Sequence, residues 1–193
     1  MQSAEIQDTV KKIKRGFSLQ MNGVASGSMR EKGINSYLNW GIQLPALRKI
    51  AEEYGKDYNL AIALWKENVR ECKILATLIM PAERMDGQML SLWMEQTETQ
   101  EIAEYAAFNL YQYVADASIY GYLWIASDNT LAQICGYNLL ACLFKKGSQP
   151  SERDINEFID QAIAALSDKA VGVRHRLGRL FPFPNPPLFC GRS

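Results

Sequence analysis

The sequence predicts an all-α protein in which antiparallel helix pairs stack in order as an α-solenoid. Apolar residues recur at three- and four-residue spacing in segment after segment, which is typical of helices that bury one stripe each. No segment shows convincing strand alternation. The connections between the predicted helices are short, about two to six residues, so consecutive helices should lie side by side in opposite directions.

The apolar stripes place the helices along the chain in order. The first group covers residues 6–21, 44–54, 58–65, 72–79 and 90–94. The second group covers residues 98–114, 117–125, 130–146, 151–166 and 169–180. Asp57 and Asp128 precede two of these helices as expected N-caps, and Ser151 with Asp154 forms a variant of the capping box.

Chain length and the positions of Gly-, Ser- and Pro-rich segments predict one folded domain with an irregular end. A chain of 193 residues with 48% hydrophobic residues can bury a substantial core, so we expect one domain over residues 1–180. Residues 23–33 are rich in Gly and Ser, which predicts a mobile loop after the first helix. Residues 181–193 contain four prolines within six residues and cannot continue a helix, which predicts a proline-rich irregular tail.

The composition argues against a membrane protein, a secreted protein and a metalloprotein. No run approaches the roughly 18 apolar residues of a membrane span, and the N-terminus lacks the apolar core of a signal peptide. A cytoplasmic protein without a membrane partner is therefore expected. The four cysteines contain no C-x-x-C spacing and His175 is the single histidine, so no metal site, disulfide framework or cofactor is expected.

Charge is unevenly distributed although the net charge is zero. Residues 1–84 carry 13 Lys and Arg against 9 Asp and Glu, and residues 145–193 carry 8 against 5. Residues 85–144 carry 7 Asp and Glu and neither Lys nor Arg. Two basic arms could flank a DNA duplex while the middle supplies carboxylates. Alternatively, the acidic helices simply pair with basic neighbours, and both interpretations remain open.

Several short motifs resemble one known family over about residues 35–180. They are the Gly41, Ile42, Pro45 and Arg48 pattern at a helix start, Leu64-Trp65, Arg70-Glu71, and the Trp-Ile-Ala-Ser-Asp-Asn block at residues 124–129. The chain resembles the HEAT-like-repeat DNA alkylation repair enzymes, alkylpurine glycosylases of the AlkD type. The resemblance implies a right-handed superhelix of HEAT-like repeats, a duplex DNA partner and excision of N-alkylated purines.

The resemblance also implies a catalytic pair of carboxylates. The family's Trp-Asp-x-x-Asp motif matches Gln100-Glu101-Ile-Ala-Glu104, in which each Asp is replaced by Glu and the aromatic is lost. By this match, Glu104 stabilises positive charge on the sugar and orients water, and Glu101 supports it. The i, i+3 spacing puts both on one helical face. The alternative is a solvated helix start, where carboxylates favour the helix dipole.

Two further positions depart from the family pattern. Members carry an Arg after a Gln where this chain reads Gln133-Ile134, so a cation that grips phosphate is missing. A tryptophan of the family's catalytic cleft aligns approximately with Arg179. The chain's own tryptophans occupy apolar helical positions and are expected in the core; they are Trp40, Trp65, Trp93 and Trp124.

Basic residues near helix starts are the candidate DNA contacts. Backbone phosphates are expected to meet Arg48, Lys49, Arg70, Lys73, Arg174, Arg176 and Arg179. The same residues could equally serve solubility. The preferred interpretation is a DNA-binding repair protein with weakened or lost excision activity. The alternatives are a non-catalytic binder of damaged or branched DNA and a scaffold for protein partners.

Overall fold

The computed structural model describes residues 2–31, 36–147 and 151–167, and these residues form ten α-helices and no strand. The helices are α1 (Gln2–Leu19), α2 (Gly23–Glu31), α3 (Leu44–Tyr54), α4 (Tyr58–Trp65), α5 (Arg70–Ile79), α6 (Gly87–Glu95), α7 (Gln100–Asn109), α8 (Ala117–Ile125), α9 (Thr130–Lys145) and α10 (Glu152–Ser167). The predicted all-α class is confirmed.

The helices pack as two rows. In one row α3 contacts α5, α5 contacts α7 and α7 contacts α9. In the other, α1 contacts α4 and α8 contacts α10, with α6 between α4 and α8. Trp93 of α6 stacks on Trp65 of α4 with ring centroids 4.0 Å apart, and a Cβ on Gly87 of α6 would collide with Tyr120 of α8. The α4–α5 and α8–α9 contacts join the rows.

One core of buried side chains runs from α1 to α9. Val10 and Phe17 of α1 lie at one end and Leu139 of α9 at the other. The prediction of core tryptophans is confirmed for three, since Trp65, Trp93 and Trp124 are buried. Trp40 is half-buried and packs against Phe17, with ring centroids 5.8 Å apart. The smaller second cluster lies beneath α10.

None of the helices within the described ranges is long and apolar enough to cross a membrane.

Most helix starts follow their local capping signals. Asp57 accepts a hydrogen bond from the Leu60 N–H at 2.9 Å, as predicted. Ser151 and Asp154 cap each other reciprocally, as a capping box does. The prediction of Asp128 as a cap is wrong: α9 begins at Thr130, as predicted, but Asn129 is its N-cap and accepts from the first turn.

Two predicted elements differ from the structure. Residues 23–31 form helix α2 rather than an irregular loop. Asn22 starts this helix by accepting from the Ala25 N–H at 3.0 Å, and its own N–H donates to the Trp40 carbonyl, so capping and tertiary contact override the Gly and Ser composition. The helix predicted over residues 98–114 ends at Asn109, since Leu110 leaves the helical region. Residues 32–33, the helix predicted over 169–180 and the tail 181–193 lie outside the described residues.

Helices α8 and α9 approach closely through glycine. A Cβ on Gly136 would lie 2.8 Å from the Gly121 carbonyl oxygen and 3.0 Å from the Ile125 backbone nitrogen. Both neighbours are backbone atoms, which cannot swing aside as a flexible side chain can. The crossing of α8 and α9 therefore depends on the absence of a side chain at Gly136.

We predict that Gly136→Ala destabilises the fold by about 2 kcal/mol or more, because the added methyl forces the two backbones apart. The matched control is Gly16→Ala in α1, where a Cβ meets no atom within 4 Å and helix propensity alone predicts a gain of about 0.5–1 kcal/mol. Urea unfolding measures both. Equal stability of the two variants would contradict the prediction.

Candidate functional site

The centre of the candidate site is the guanidinium of Arg70, at the start of α5. Its Nε and Nη2 donate to the two carboxylate oxygens of Glu101 on α7, at 2.6 and 2.7 Å. Its Nη1 donates to Glu71 and to the Ile42 carbonyl, at 3.0 and 3.1 Å. Arg70 is only 2% exposed. Burial lowers the pKa of Arg70, but the hydrogen bonds and charges of Glu101 and Glu71 outweigh it and raise the pKa above its usual value.

Glu71 ties the loop before α3 to the same cation. Its carboxylate is fully buried and accepts from the backbone N–H groups of Trp40, Gly41 and Ile42, at 3.0 to 3.3 Å. Gly41 has a φ of 75° and packs against the backbone of Asn22, so a side chain at Gly41 would break this loop. The buried Glu71–Arg70–Glu101 group, here called the ion triad, thus joins the 40–42 loop, α5 and α7.

Glu104 lies one helical turn beyond the ion triad on the same side of α7. It is half-buried, and Gln100 donates to its Oε1 at 2.8 Å. Thr99 caps this helix start by accepting from the Ile102 N–H. The two predicted carboxylates therefore share a helix face, but they differ in surroundings, because Glu101 is held by Arg70 and Glu104 belongs to the next turn. Glu101 is therefore not a solvated helix-start carboxylate, whereas the role of Glu104 stays a prediction.

The hydroxyl of Tyr105 lies near several charged groups of this site, which shift its pKa. Burial raises the pKa of its hydroxyl, and the charges of Glu101 and Glu104 raise it further. The cations Arg70 and Arg48 oppose that rise. Arg48, which is exposed on α3, therefore lies close enough for its charge to act on the Tyr105 hydroxyl.

The structure divides the predicted DNA contacts into two groups. Arg48 and Lys49 are exposed on α3. Arg70 and Lys73 are buried, so their prediction as phosphate contacts does not fit the structure. Lys73 is 7% exposed with its Nζ 4.6 Å from the centre of the Trp65 ring, and burial lowers its pKa. The remaining predicted contacts, Arg174, Arg176 and Arg179, lie outside the described residues.

A groove of about 450 Å³ lies beside Arg48, between α3 and the far end of α7. Its lining includes the exposed aromatic rings of Phe108 and Tyr113, which the sequence interpretation did not select. The sequence contained a helical-spacing signal for Phe108, because Phe108 follows Glu104 by four residues and so falls on the same helix face. Tyr113 belongs to a short 3₁₀ turn after α7 and had no such periodic signal.

Other chemistries find little support in the described residues. Burial and the charge of Glu67 raise the pKa of the Cys72 thiol to about 12, and burial also raises the pKa of Cys135, so both thiols are poor nucleophiles. Within the described part of the chain, no three His, Cys, Asp or Glu residues come together as metal ligands do. Ile134 is buried in the second hydrophobic cluster.

Comparison with known proteins matches the chain to one family. The model described as DNA alkylation repair enzyme covers residues 17–178, and this is the family that the sequence motifs resemble. Neither the curated proteins nor the solved structures gave a match.

We predict that Arg70→Met destabilises the fold by about 3–5 kcal/mol, because Glu71 would remain buried without its cation. Urea unfolding monitored by tryptophan fluorescence measures the loss. Arg48→Met, the same change at an exposed position, should stay within about 0.5 kcal/mol of the parent. If both variants lose the same amount, the ion triad does not hold the three segments together.

Proposed function

Because the chain belongs to the DNA alkylation repair enzyme family, we propose that it binds DNA and excises N-alkylated purines, with Glu104 as the catalytic carboxylate. Family membership supports a role in DNA repair. The observation that carries the finer proposal is the position of Glu104, half-buried one turn after a helix start that the ion triad fixes. A carboxylate in this position, with Gln100 donating to its Oε1, can face a sugar bound at the start of α7.

Glu104 would act on charge that develops during bond cleavage. The bond between C1′ of the sugar and the purine nitrogen breaks, and its electron pair neutralises the cationic alkylated base. Positive charge then spreads over C1′ and the ring oxygen, where a nearby carboxylate stabilises it. Water attacks C1′, and its proton passes through Glu104 to solvent. No metal or cofactor enters this sequence.

Glu101 would be a positioning residue rather than a second catalytic carboxylate. Both of its oxygens accept hydrogen bonds from Arg70, so its charge is largely compensated. This pair fixes the first turn of α7 relative to α5. The position of Glu104 depends on that turn, and a displacement of about one ångström can cost on the order of 100-fold in rate.

Two features favour slow excision. Glu in place of Asp moves the carboxylate outward by one methylene, and Gln100 stands where the family has an aromatic residue. The alternative function is non-catalytic binding of damaged or branched DNA, favoured by the same Gln100 and by the buried Ile134 at the family's cation position. A scaffold for protein partners is the remaining alternative.

The proposed DNA contact uses the exposed cations of α3 rather than the buried ones of α5. Arg48 and Lys49 are exposed, and the charge of Arg48 acts on Tyr105, the residue after Glu104, so a backbone bound there would bring a sugar close to Glu104. Since the net charge is zero, binding would depend on this local cluster and not on the charge of the whole chain.

We predict that Glu104→Gln slows release of N7-methylguanine from duplex DNA by at least about tenfold in single-turnover assays, because the amide cannot stabilise the sugar cation. Glu95→Gln, the same change at an exposed position on α6, should leave the rate unchanged. Equal rates for the parent and Glu104→Gln would remove Glu104 from the chemistry. No release by the folded parent would leave the non-catalytic alternatives.

We predict that Arg48→Gln weakens duplex binding and lowers the slope of log Kd against log salt concentration by about one, as the loss of one phosphate contact does. Fluorescence anisotropy with an undamaged labelled duplex measures the slope. Lys66→Gln removes one exposed charge at the C-cap of α4, in the other row of helices, and is the control. Equal slopes for the two variants would place the DNA elsewhere.

A further inference from the structure

We infer that the groove beside Arg48 binds an unstacked nucleotide of single-stranded DNA, with Phe108 stacking on the base and Arg48 holding the adjacent phosphate. The inference rests on the proposed DNA binding, but it requires no excision activity. It assigns a role to Phe108, which belongs neither to the motifs that carry the family resemblance nor to the carboxylate pair.

The position of Phe108 links the groove to the candidate site. Phe108 lies on the same side of α7 as Glu101 and Glu104, one turn further along. Arg48 links the two regions, since its charge acts on Tyr105, the residue after Glu104, and its side chain lines the groove with Phe108. A nucleotide seated in the groove would therefore have its backbone neighbours within reach of Glu104.

The groove offers both groups that unstacked nucleotides need. Phe108 is 46% exposed and Tyr113 60% exposed, and each leaves an aromatic surface in contact with solvent. Every base has a π face, so stacking on such a ring is strong and tolerates any sequence. A continuous base-paired duplex cannot use these rings, because its bases are already stacked on each other.

The charge of the groove suits a phosphodiester more than an apolar peptide. Arg48 and Lys56 line it together with a single described carboxylate, Glu83. Lys56 is anchored there, since its Nζ donates to the carbonyl oxygens of Leu78 and Met80 at 2.9 and 3.2 Å. Lys146 adds a cation at the rim, with its Nζ 3.6 Å from the centre of the Tyr113 ring.

The size of the groove fits a nucleotide. Its volume of about 450 Å³ lies within the range of roughly 300–1,000 Å³ found for small-molecule sites. The lining comes from α3, α5, α7 and the short turns beside them, which all pack on the core. The rings are therefore presented by elements that the fold already fixes, as a stacking platform requires.

The experiment measures binding of fluorescein-labelled oligothymidylate to the full chain by anisotropy. Phe108→Ala should weaken binding of the single strand by roughly tenfold, the loss expected for one stacked base, while binding of a fully paired duplex stays within about twofold. Phe108→Trp should retain the affinity of the parent because it retains a ring. Phe108→Leu should behave like Phe108→Ala, because an aliphatic side chain has no face for stacking.

The matched control is Leu123→Ala, which shortens another exposed apolar side chain, on α8, and should leave the binding of both probes unaffected. The proposal is overturned if the parent does not bind the single strand, if Phe108→Ala and Leu123→Ala act alike, or if Phe108→Leu binds as well as the parent. Excision is not measured in this assay. A chain that fails to release methylated bases can therefore still support this inference, and an active glycosylase can still overturn it.

Discussion

The buried guanidinium of Arg70 is the interaction on which the rest of the site depends. It is shared between a fully buried carboxylate of its own helix and a carboxylate of α7, so one cation joins three segments that are distant in sequence. A buried ion pair of this kind adds little stability compared with a well-packed apolar core, but removing one member is costly. Its consequence is geometric, because α7 can take only the position that lets Glu101 reach both donors.

The Arg70–Glu101 contact explains part of the uneven charge distribution along the chain. The acidic middle segment and the basic first arm pair in part with each other, as the Arg70–Glu101 contact shows. The other interpretation is that the basic arms face a duplex. It applies only to cations that are exposed, such as Arg48 and Lys49. Pairing of acidic and basic helices thus holds for Arg70 and Glu101, and contact with a duplex stays a prediction for the exposed cations of α3. A sum of charges over a segment could not separate them, since it does not distinguish paired from solvated groups.

The features that could be predicted from the sequence are those that residues close together in the chain determine. The periodicity and caps placed α3, α4 and α8 with their observed limits, because a helix stripe and its first turn are encoded within a few residues. Helix α2 was missed because Asn22 and the contact with Trp40 decide it. The burial of Arg70 and Lys73 was missed because their partners are far away in the chain or belong to neighbouring helices. Phe108 was within reach of sequence reasoning, since its spacing from Glu104 is helical, whereas the groove around it forms only when α3 and α7 pack in one row.

Helix α7 carries both kinds of group that the proposed excision chemistry needs. Excision of a cationic base is favoured by a carboxylate near the sugar and an aromatic face near the base. In the match to the family motif, Gln100 stands at the position of the aromatic residue. Its side chain donates a hydrogen bond to Glu104. One turn beyond Glu104, the same helix face carries Phe108 with its ring partly exposed. Helix α7 thus still presents a carboxylate and an aromatic ring side by side, in reversed order along the helix. Under the proposed function, a strand bound across this face would place its base and sugar in the reverse direction, so Gln100 at the position of the motif aromatic is compatible with the proposed chemistry.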